Sequence, residues 1–411
     1  MGANSLSTPH PLVRVLNRGG RVIARSGFSL VRLGESLLLE EAKRQARLED
    51  FGSEGYREPL RRLLHSFGTE AQLTLLGRIA ARQDLLRLLA NRLRMQEDRR
   101  RHPDIDAEQI RQPIFVTGLP RTGTTLLHGL LARDPVHRAP LNWEVMLPSP
   151  PPERSHSRRE PRIAGAARQI RWFYRLNPDF RRIHPIGARQ PEECLIITSQ
   201  SLRSFQFQTS HFVPSYQTWL EASDLRPSYE EHRRVLQHLQ WHCAGARWIL
   251  KAPAHLYGID AIFAVYPDAR VIFTHRNPLE VVPSMASLHT VLRSTFSDGV
   301  DPVAVGEEMT RRWAAGIERA MAARDGGVAP AGRFMDVNYP DLVRDPLATV
   351  RRIYAHFEMP FTPSAEERMN RFLRDNPKDK HGRHQYSLAQ FGLDPDAESE
   401  RYRGYRERFG V

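Results

Sequence analysis

A chain of 411 residues is long enough for one large α/β domain with an appended helical portion. Its formal net charge of +13 favours anionic partners, either nucleic acid or a polyanionic cofactor. The two cysteines, Cys194 and Cys243, lack CxxC spacing, and no stretch offers about 18 uninterrupted apolar residues, which argues against a disulfide framework, a zinc site and a transmembrane span. The composition predicts a cytoplasmic protein without a bound metal.

The first hundred residues have a helical pattern. Residues 34–100 are rich in Leu, Ala, Arg and Glu, with apolar positions at helical spacing. Pro103 and Pro113 flank the passage into the first predicted strand. We therefore predict an N-terminal helical extension over residues 1–105 and an α/β domain over residues 106–411.

Short apolar runs beyond the extension predict buried strands. They lie at the start of 112–127 and at 247–251, 269–275 and 332–339. Helical patterns follow at 256–266 and 341–357. This alternation predicts an α/β, P-loop-like three-layer fold with a central, mainly parallel sheet flanked by helices. Ligands are then expected at the carboxyl ends of the strands.

A glycine-bounded loop follows the first strand. Its residues are Gly118, Leu119, Pro120, Arg121, Thr122, Gly123, Thr124 and Thr125. The two glycines have the Walker A spacing, but Thr124 stands where a nucleotide triphosphatase keeps its lysine. Backbone amides of the loop can still converge on an anion at the start of the next helix, with Arg121 as the local cation. The pattern predicts a nucleotide whose terminal oxyanion is not a γ-phosphate.

A second candidate phosphate site follows the strand at 269–275. Arg276 comes directly after that strand and Ser284 lies eight residues further along. A guanidinium fork and a hydroxyl at this spacing can meet at one phosphate. The alternative is that Arg276 caps a helix or pairs with Glu280.

Together, the loop, the segment Lys251-Ala-Pro-Ala-His255 and the Arg276 and Ser284 pair resemble the sulfotransferase superfamily. The similarity extends over about 112–393 and is greatest to the bacterial branch whose loop reads Pro-Arg-Thr-Gly-Thr-Thr. It implies 3′-phosphoadenosine 5′-phosphosulfate as the cofactor. It also implies that the loop binds the 5′-phosphosulfate, and that Arg276 and Ser284 bind the 3′-phosphate.

Sulfuryl transfer to an alcohol needs a base for the hydroxyl proton and donors for the charge that develops on the bridging oxygen. His255 is the first candidate for the base, and Lys251 is expected to stabilise the leaving phosphate. The alternative is a structural histidine and a solvated lysine. Glu192 and Glu193 are the second candidates for the base, unless they are only favourable acids in the first turn of a helix.

A basic segment near the C-terminus contains Lys380, Gly382 and Arg383. It resembles the mobile loop with which sulfotransferases close over the 3′-phosphate, although a charged run is also typical of a solvated face. Aromatic residues at 172–174 and 205–219 are interpreted as helix packing ahead of an acceptor pocket.

We therefore predict a sulfotransferase that acts on the hydroxyl of a small molecule or lipid and binds no nucleic acid. A P-loop kinase or nucleotide triphosphatase would need the missing lysine and an acid for magnesium. A non-enzymatic nucleic-acid-binding protein would concentrate its positive charge in a patch, whereas these arginines are spread along the chain. Neither the acceptor nor the oligomeric state follows from the sequence.

Overall fold

The computed structural model describes residues 17, 18, 20, 30–153, 160–178, 180, 185–243, 245, 247–376 and 387–411. Its centre is a five-stranded sheet of parallel strands in the order β2-β3-β1-β4-β5. The strands are β1 Ile114–Gly118, β2 His137–Arg138, β3 Arg247–Lys251, β4 Arg270–His275 and β5 Phe334–Asn338. β1 occupies the middle, where Ile114 is in register with Ile249 on one side and Arg270 on the other.

Both faces of the sheet are buried. Successive side chains of a strand point to opposite faces. In β1, Ile114 and Val116 therefore join one apolar core while Phe115 joins the other. A strand covered on both sides needs apolar residues at every position. This is why the strands read as continuous apolar runs in the sequence.

Helices cover both faces and form the N-terminal region. Before the sheet come α1 Glu35–Ala46, α2 Arg57–Thr69, α3 Leu75–Arg101 and α4 Asp104–Ala107. Between β1 and β3 come α5 Thr124–Leu131, α6 Asn142–Met146, α7 Pro161–Leu176, α8 Cys194–Thr198, α9 Gln206–Ser210, α10 Pro214–Ala222 and α11 Arg226–Gln240. After β3 come α12 Ile259–Val265, α13 Pro278–Phe296, α14 Pro302–Asp325, α15 Tyr339–Arg344, α16 Pro346–His356, α17 Pro363–Asp375, α18 Pro395–Arg401 and α19 Arg403–Phe409. Shorter 3₁₀ turns occupy Glu54–Tyr56, Ser199–Ser201, Pro253–Tyr257, Ala331–Arg333 and Leu388–Phe391. Across the described ranges, none of the helices combines the length and the apolarity needed to cross a lipid bilayer.

The predicted fold class is confirmed, with differences in detail. β2 was not predicted, because a strand of only two residues leaves no apolar run in the sequence. The single helix predicted over 341–357 is two helices, α15 and α16. They separate at Asp345, whose side chain accepts a hydrogen bond from the Ala348 amide at 2.9 Å and so caps α16. Pro346 then occupies the first position of α16.

The N-terminal helices share their core with the α/β region. One continuous cluster of buried residues includes Leu85 and Leu89 of α3 together with Tyr229 of α11. At the start of α3, both the amide and the hydroxyl of Thr74 donate to the Phe296 carbonyl, at 2.9 and 3.1 Å. The division at residue 105 remains a prediction, and the two parts are in direct contact along this seam.

Gly77 tests how tightly that seam is packed. A Cβ atom at this position would lie 1.9 Å from the Phe296 carbonyl oxygen, so α3 would have to move away from the end of α13. We expect Gly77→Ala to lower the free energy of unfolding by about 1–3 kcal/mol, measured by urea denaturation. Gly165→Ala, where a Cβ meets nothing within 4 Å, is the matched control. It should be neutral or stabilising by up to ~1 kcal/mol. Equal effects of the two changes would contradict close packing at Gly77.

Candidate active site

The glycine-bounded loop at 118–125, called the phosphate loop after its predicted role, lies where the order of the strands reverses. The chain leaves β1 towards β2 and β3 on one side and later crosses to β4 on the other side. A crevice therefore opens beyond the carboxyl end of β1, between connections that run in opposite directions. The loop from Gly118 to Gly123 and the start of α5 border this crevice, as the sequence predicts for a ligand site.

The conformation of the loop explains its glycines. Gly118 and Gly123 have positive φ angles of 135° and 86°, and Arg121 has φ 67°. A Cβ at Gly118 would lie 2.3 Å from the Thr274 carbonyl oxygen, so only glycine fits beside β4. Thr122 points inward and its hydroxyl contacts the Leu119 carbonyl. Gly123 is the residue before α5, and no side chain caps this helix. The first amides of α5 are therefore available to an anion.

Arg276 reaches the loop from the end of β4. Its guanidinium donates to the Arg121 carbonyl oxygen at 3.0 Å and to Glu280 Oε2 at 2.9 Å. It also stacks over the ring of Tyr339, 4.4 Å from the centroid. The pairing with Glu280, which the sequence left as an alternative, thus coexists with contact to the phosphate loop. Ser284 lies two turns into α13 and is buried.

The sequence did not indicate that Tyr339 lies in the candidate site. This residue follows β5 directly, and its position after a parallel strand is the signal that would have found it.

Lys251 connects the phosphate loop to one of the two glutamates. Its ammonium group donates to Glu193 Oε1 and lies 3.5 Å from the Thr125 hydroxyl. The Lys251 side chain is 3% exposed and that of Glu193 is 16% exposed. A cation, a carboxylate and the start of α5 therefore meet at one partly enclosed point. A buried pair of this kind is stable only when both charges are satisfied.

Glu192 points the other way. Its carboxylate accepts hydrogen bonds from the Asn142 side-chain amide at 2.6 Å and from the Glu193 backbone amide at 2.9 Å. Burial raises the pKa of Glu192 above its ordinary value, against the opposing effect of these two donors. Glu192 therefore fixes α6 against the segment that leads to Glu193.

His255 is enclosed beneath the sheet. Its Nδ1 pairs with the Tyr229 hydroxyl at 2.7 Å, and its ring meets Phe115 edge-on at 5.0 Å. Its Nε2 has no hydrogen-bond partner in the described part of the chain. Burial lowers the pKa of His255 well below the usual value, so the ring is neutral near pH 7.

A small cavity of about 20 Å³, enough for about one water molecule, adjoins this histidine. Its wall includes Cys194 and Ala252, the residues that follow Glu193 and Lys251 in the chain, together with Leu195, Phe205 and Leu225. Neither Lys251 nor Glu193 lines the cavity, and its wall also includes the polar side chains of Thr198, Arg203 and Ser228.

Three of the predicted residues, Lys380, Gly382 and Arg383, lie outside the described residues, so their role in closing the site stays a prediction. In the part of the chain that the structure describes, no three His, Cys, Asp or Glu side chains converge as a metal site requires.

Residues 113–363 match the Sulfotransferase family. The chain belongs to this family. The crystal structure of sulfotransferase STF1 from Mycobacterium tuberculosis H37Rv is similar to this sulfotransferase, with 36% sequence identity and a TM-score of 0.81 over 90% of this chain and 98% of that one. The crystal structure of sulfotransferase STF9 from Mycobacterium avium is 28% identical, with a TM-score of 0.86 over 93% of this chain and 98% of that one.

A further relative, from Mycobacterium bovis, is named omega-hydroxy-beta-dihydromenaquinone-9 sulfotransferase Stf3. It is 28% identical over 296 residues, which are 68% of this chain and 71% of the relative. These similarities confirm the predicted resemblance and the prediction of an enzyme. They decide against the kinase and the non-enzymatic alternatives.

The buried Glu192 makes the stability of this sulfotransferase depend on pH. A carboxyl group whose pKa is raised in the folded state stabilises the fold fully below its unfolded pKa of 4.5, and this contribution is lost as the pH rises through the folded pKa. Glu192→Gln cannot titrate. We therefore expect the stability of this variant relative to wild type to increase with pH above 4.5 and then level off. Urea denaturation across this range measures the difference.

Glu230→Gln, at an exposed position of α11, is the control and should show no such trend. A difference between Glu192→Gln and wild type that stays constant with pH would show that Glu192 is not desolvated.

Proposed function

We propose that this sulfotransferase takes its sulfuryl group from 3′-phosphoadenosine 5′-phosphosulfate and transfers it to the hydroxyl of a lipid-like alcohol, with Glu193 as the general base. The observation that carries the proposal is the position of Lys251, which contacts both Glu193 and Thr125 of the phosphate loop. This contact supports a shared site for the acceptor and the donor.

The loop fits the donor's phosphosulfate. Gly118 and Gly123 allow the backbone to curve, and the uncapped start of α5 supplies amides for an oxyanion. Arg121 and Arg276 add positive charge, and Ser284 adds a hydroxyl on the helix that follows Arg276. When bound, the nucleotide supplies the sulfuryl group that becomes attached to the acceptor oxygen.

Glu193 takes the proton of the acceptor hydroxyl as the new oxygen–sulfur bond forms and the bond from sulfur to the phosphate oxygen breaks. Lys251 stabilises the negative charge left on that phosphate oxygen, with help from Arg121. The pair of charges needs no rearrangement of the backbone to act in this way.

His255 remains the alternative base. Against it stand its 2% exposure, its hydrogen bond to Tyr229 and its lowered pKa, which makes it a weak proton acceptor near neutral pH. We assign His255 the role of holding the turn after Lys251.

The acceptor is proposed from the cavity and from the relatives. Leu195, Phe205 and Leu225 make part of the cavity wall apolar. The relative from Mycobacterium bovis is named for a hydroxylated dihydromenaquinone. Both favour an alcohol on an apolar carrier over a sugar. A cytoplasmic location agrees with the absence of a disulfide between Cys194 and Cys243 and remains a prediction, as does the lack of a nucleic-acid partner.

The donor site is tested with adenosine 3′,5′-bisphosphate, the desulfated nucleotide. Arg121→Ala and Arg276→Ala should each weaken its binding by about 1.5–3 kcal/mol, because each change removes a charge-assisted hydrogen bond. Isothermal calorimetry measures the affinity. Glu280→Gln is the control. It removes the ion pair between Arg276 and Glu280 but keeps the Arg276 guanidinium, so it should not weaken binding of the bisphosphate. Unchanged affinity in both arginine variants, with folding intact by circular dichroism, would refute the assignment of 3′-phosphoadenosine 5′-phosphosulfate as the donor.

The base is tested by turnover. Glu193→Gln should lower kcat by about 10²–10⁴ while the affinity for the bisphosphate stays nearly constant, because proton removal occurs only in the transition state. His255→Asn is the comparison and should retain most of its activity. Transfer of labelled sulfate to a panel of prenyl alcohols, long-chain alcohols, phenols and sugars provides the assay. An active Glu193→Gln beside an inactive His255→Asn would return the role to the histidine.

A further inference from the structure

Helix α7 is a surface helix with two unlike sides. Of its 16 residues only Ala166 is buried. Ile163, Ile170 and Phe173 fall on the same side at helical spacing and are partly buried. The ring of Phe173 meets Phe180 at 4.9 Å, which marks this side as the one that faces the protein.

The other side of α7 is basic and carries a tryptophan. Arg168, Arg171 and Arg175 are exposed, and Trp172 among them is 57% exposed. The Arg175 guanidinium lies 5.1 Å from the centroid of the Trp172 ring. The helix itself contains no Asp or Glu, and among the described residues neither Arg168 nor Arg171 has an ion pair.

Some other exposed arginines of this protein pair with acids. Arg100 and Arg101, at the end of α3, both pair with Glu97, at 2.8 and 2.6 Å. Arg44 in α1 pairs with Glu41 at 2.6 Å. The arginines on the outer side of α7 have no acid partner of this kind among the described residues, and an exposed tryptophan lies among them.

We infer that the outer side of α7 binds the surface of an anionic lipid bilayer. Indole rings settle at the level of the lipid headgroups, and arginines around them attract acidic lipids. Phosphates of a nucleic acid would satisfy the arginines equally well but give no reason for an exposed indole at the centre of the patch. The charge and the aromatic ring together favour the bilayer.

Contacts of α7 link this surface to the candidate base. Arg162 stacks over Trp143 of α6 at 4.9 Å, and Tyr174 exchanges hydrogen bonds of 3.0 and 2.6 Å with the Ile186 backbone. Asn142, at the start of α6, binds Glu192, the neighbour of Glu193. α7 thus contacts α6, and α6 contacts the segment that contains Glu193. If the acceptor is lipid-like, as proposed above, a bilayer bound to α7 lies on the helix that packs beside this part of the site. Binding to the bilayer does not itself depend on that proposal.

Sedimentation of the full chain with vesicles tests the inference. Wild type should bind vesicles of phosphatidylcholine mixed with phosphatidylglycerol, should bind phosphatidylcholine alone weakly, and should dissociate as salt is added. In the triple variant Arg168→Gln/Arg171→Gln/Arg175→Gln, the partition coefficient of the protein onto anionic vesicles should fall roughly 100-fold. Each basic residue near an anionic surface raises this coefficient about fivefold. Trp172→Ala should also reduce binding.

The matched control is Arg44→Gln/Arg100→Gln/Arg101→Gln, which removes the same number of charges from acid-paired positions. It should bind vesicles like wild type. Equal losses in the two triple variants would mean that net charge alone drives binding, and failure of wild type to bind anionic vesicles would overturn the inference outright. Binding of the α7 arginines to duplex DNA and not to vesicles would also overturn the inference. Affinity for adenosine 3′,5′-bisphosphate should be unchanged in the α7 variant, so a failed donor test and a failed vesicle test remain separate results.

Discussion

Lys251 and Arg276 both reach the phosphate loop because parallel strands end at the same edge of one sheet. Gly118 ends β1, Lys251 ends β3, and Arg276 follows β4. In an antiparallel arrangement the ends of neighbouring strands would lie on opposite edges. The burial of both faces keeps the strands in place, since β1, β3, β4 and β5 each contribute apolar side chains to both cores. The site therefore depends on the same packing that holds the sheet together.

The end of β4 receives additional support from the C-terminal helix. His275, the residue before Arg276, pairs through Nδ1 with the Tyr405 hydroxyl and through Nε2 with Asp336, both at 2.9 Å. Its ring stacks on Phe409 at 3.8 Å. Although burial opposes it, the contacts with His275 and Arg324 hold the pKa of Asp336 well below the usual range. These bonds orient the backbone from which Arg276 reaches the phosphate loop.

We expect the ion pair of Lys251 with Glu193 to be sensitive to substitution, because both side chains are largely buried. Removal of one member of a largely buried pair leaves the other charge without compensation. The neutral His255 and the desolvated Glu192 lie nearby, so this point already contains two groups whose ordinary charge states are disfavoured. Such an arrangement is typical of a functional site rather than of a purely structural core.

The sequence by itself determined the glycine-bounded loop between strand and helix, the parallel α/β fold and the family, and it predicted that this loop binds a phosphate. Glycine spacing, strand-to-helix order and the missing Walker lysine are local features, set by backbone conformations within about ten residues. Only the tertiary structure decided which side chain meets Lys251. Glu193 lies 58 residues before it in the chain, and its neighbour Glu192 turns to Asn142 instead. The burial of His255 was equally hidden, because it depends on Phe115 and Tyr229 from other elements. Burial and long-range partners decide the charge state and reach of a side chain, and no local pattern encodes them.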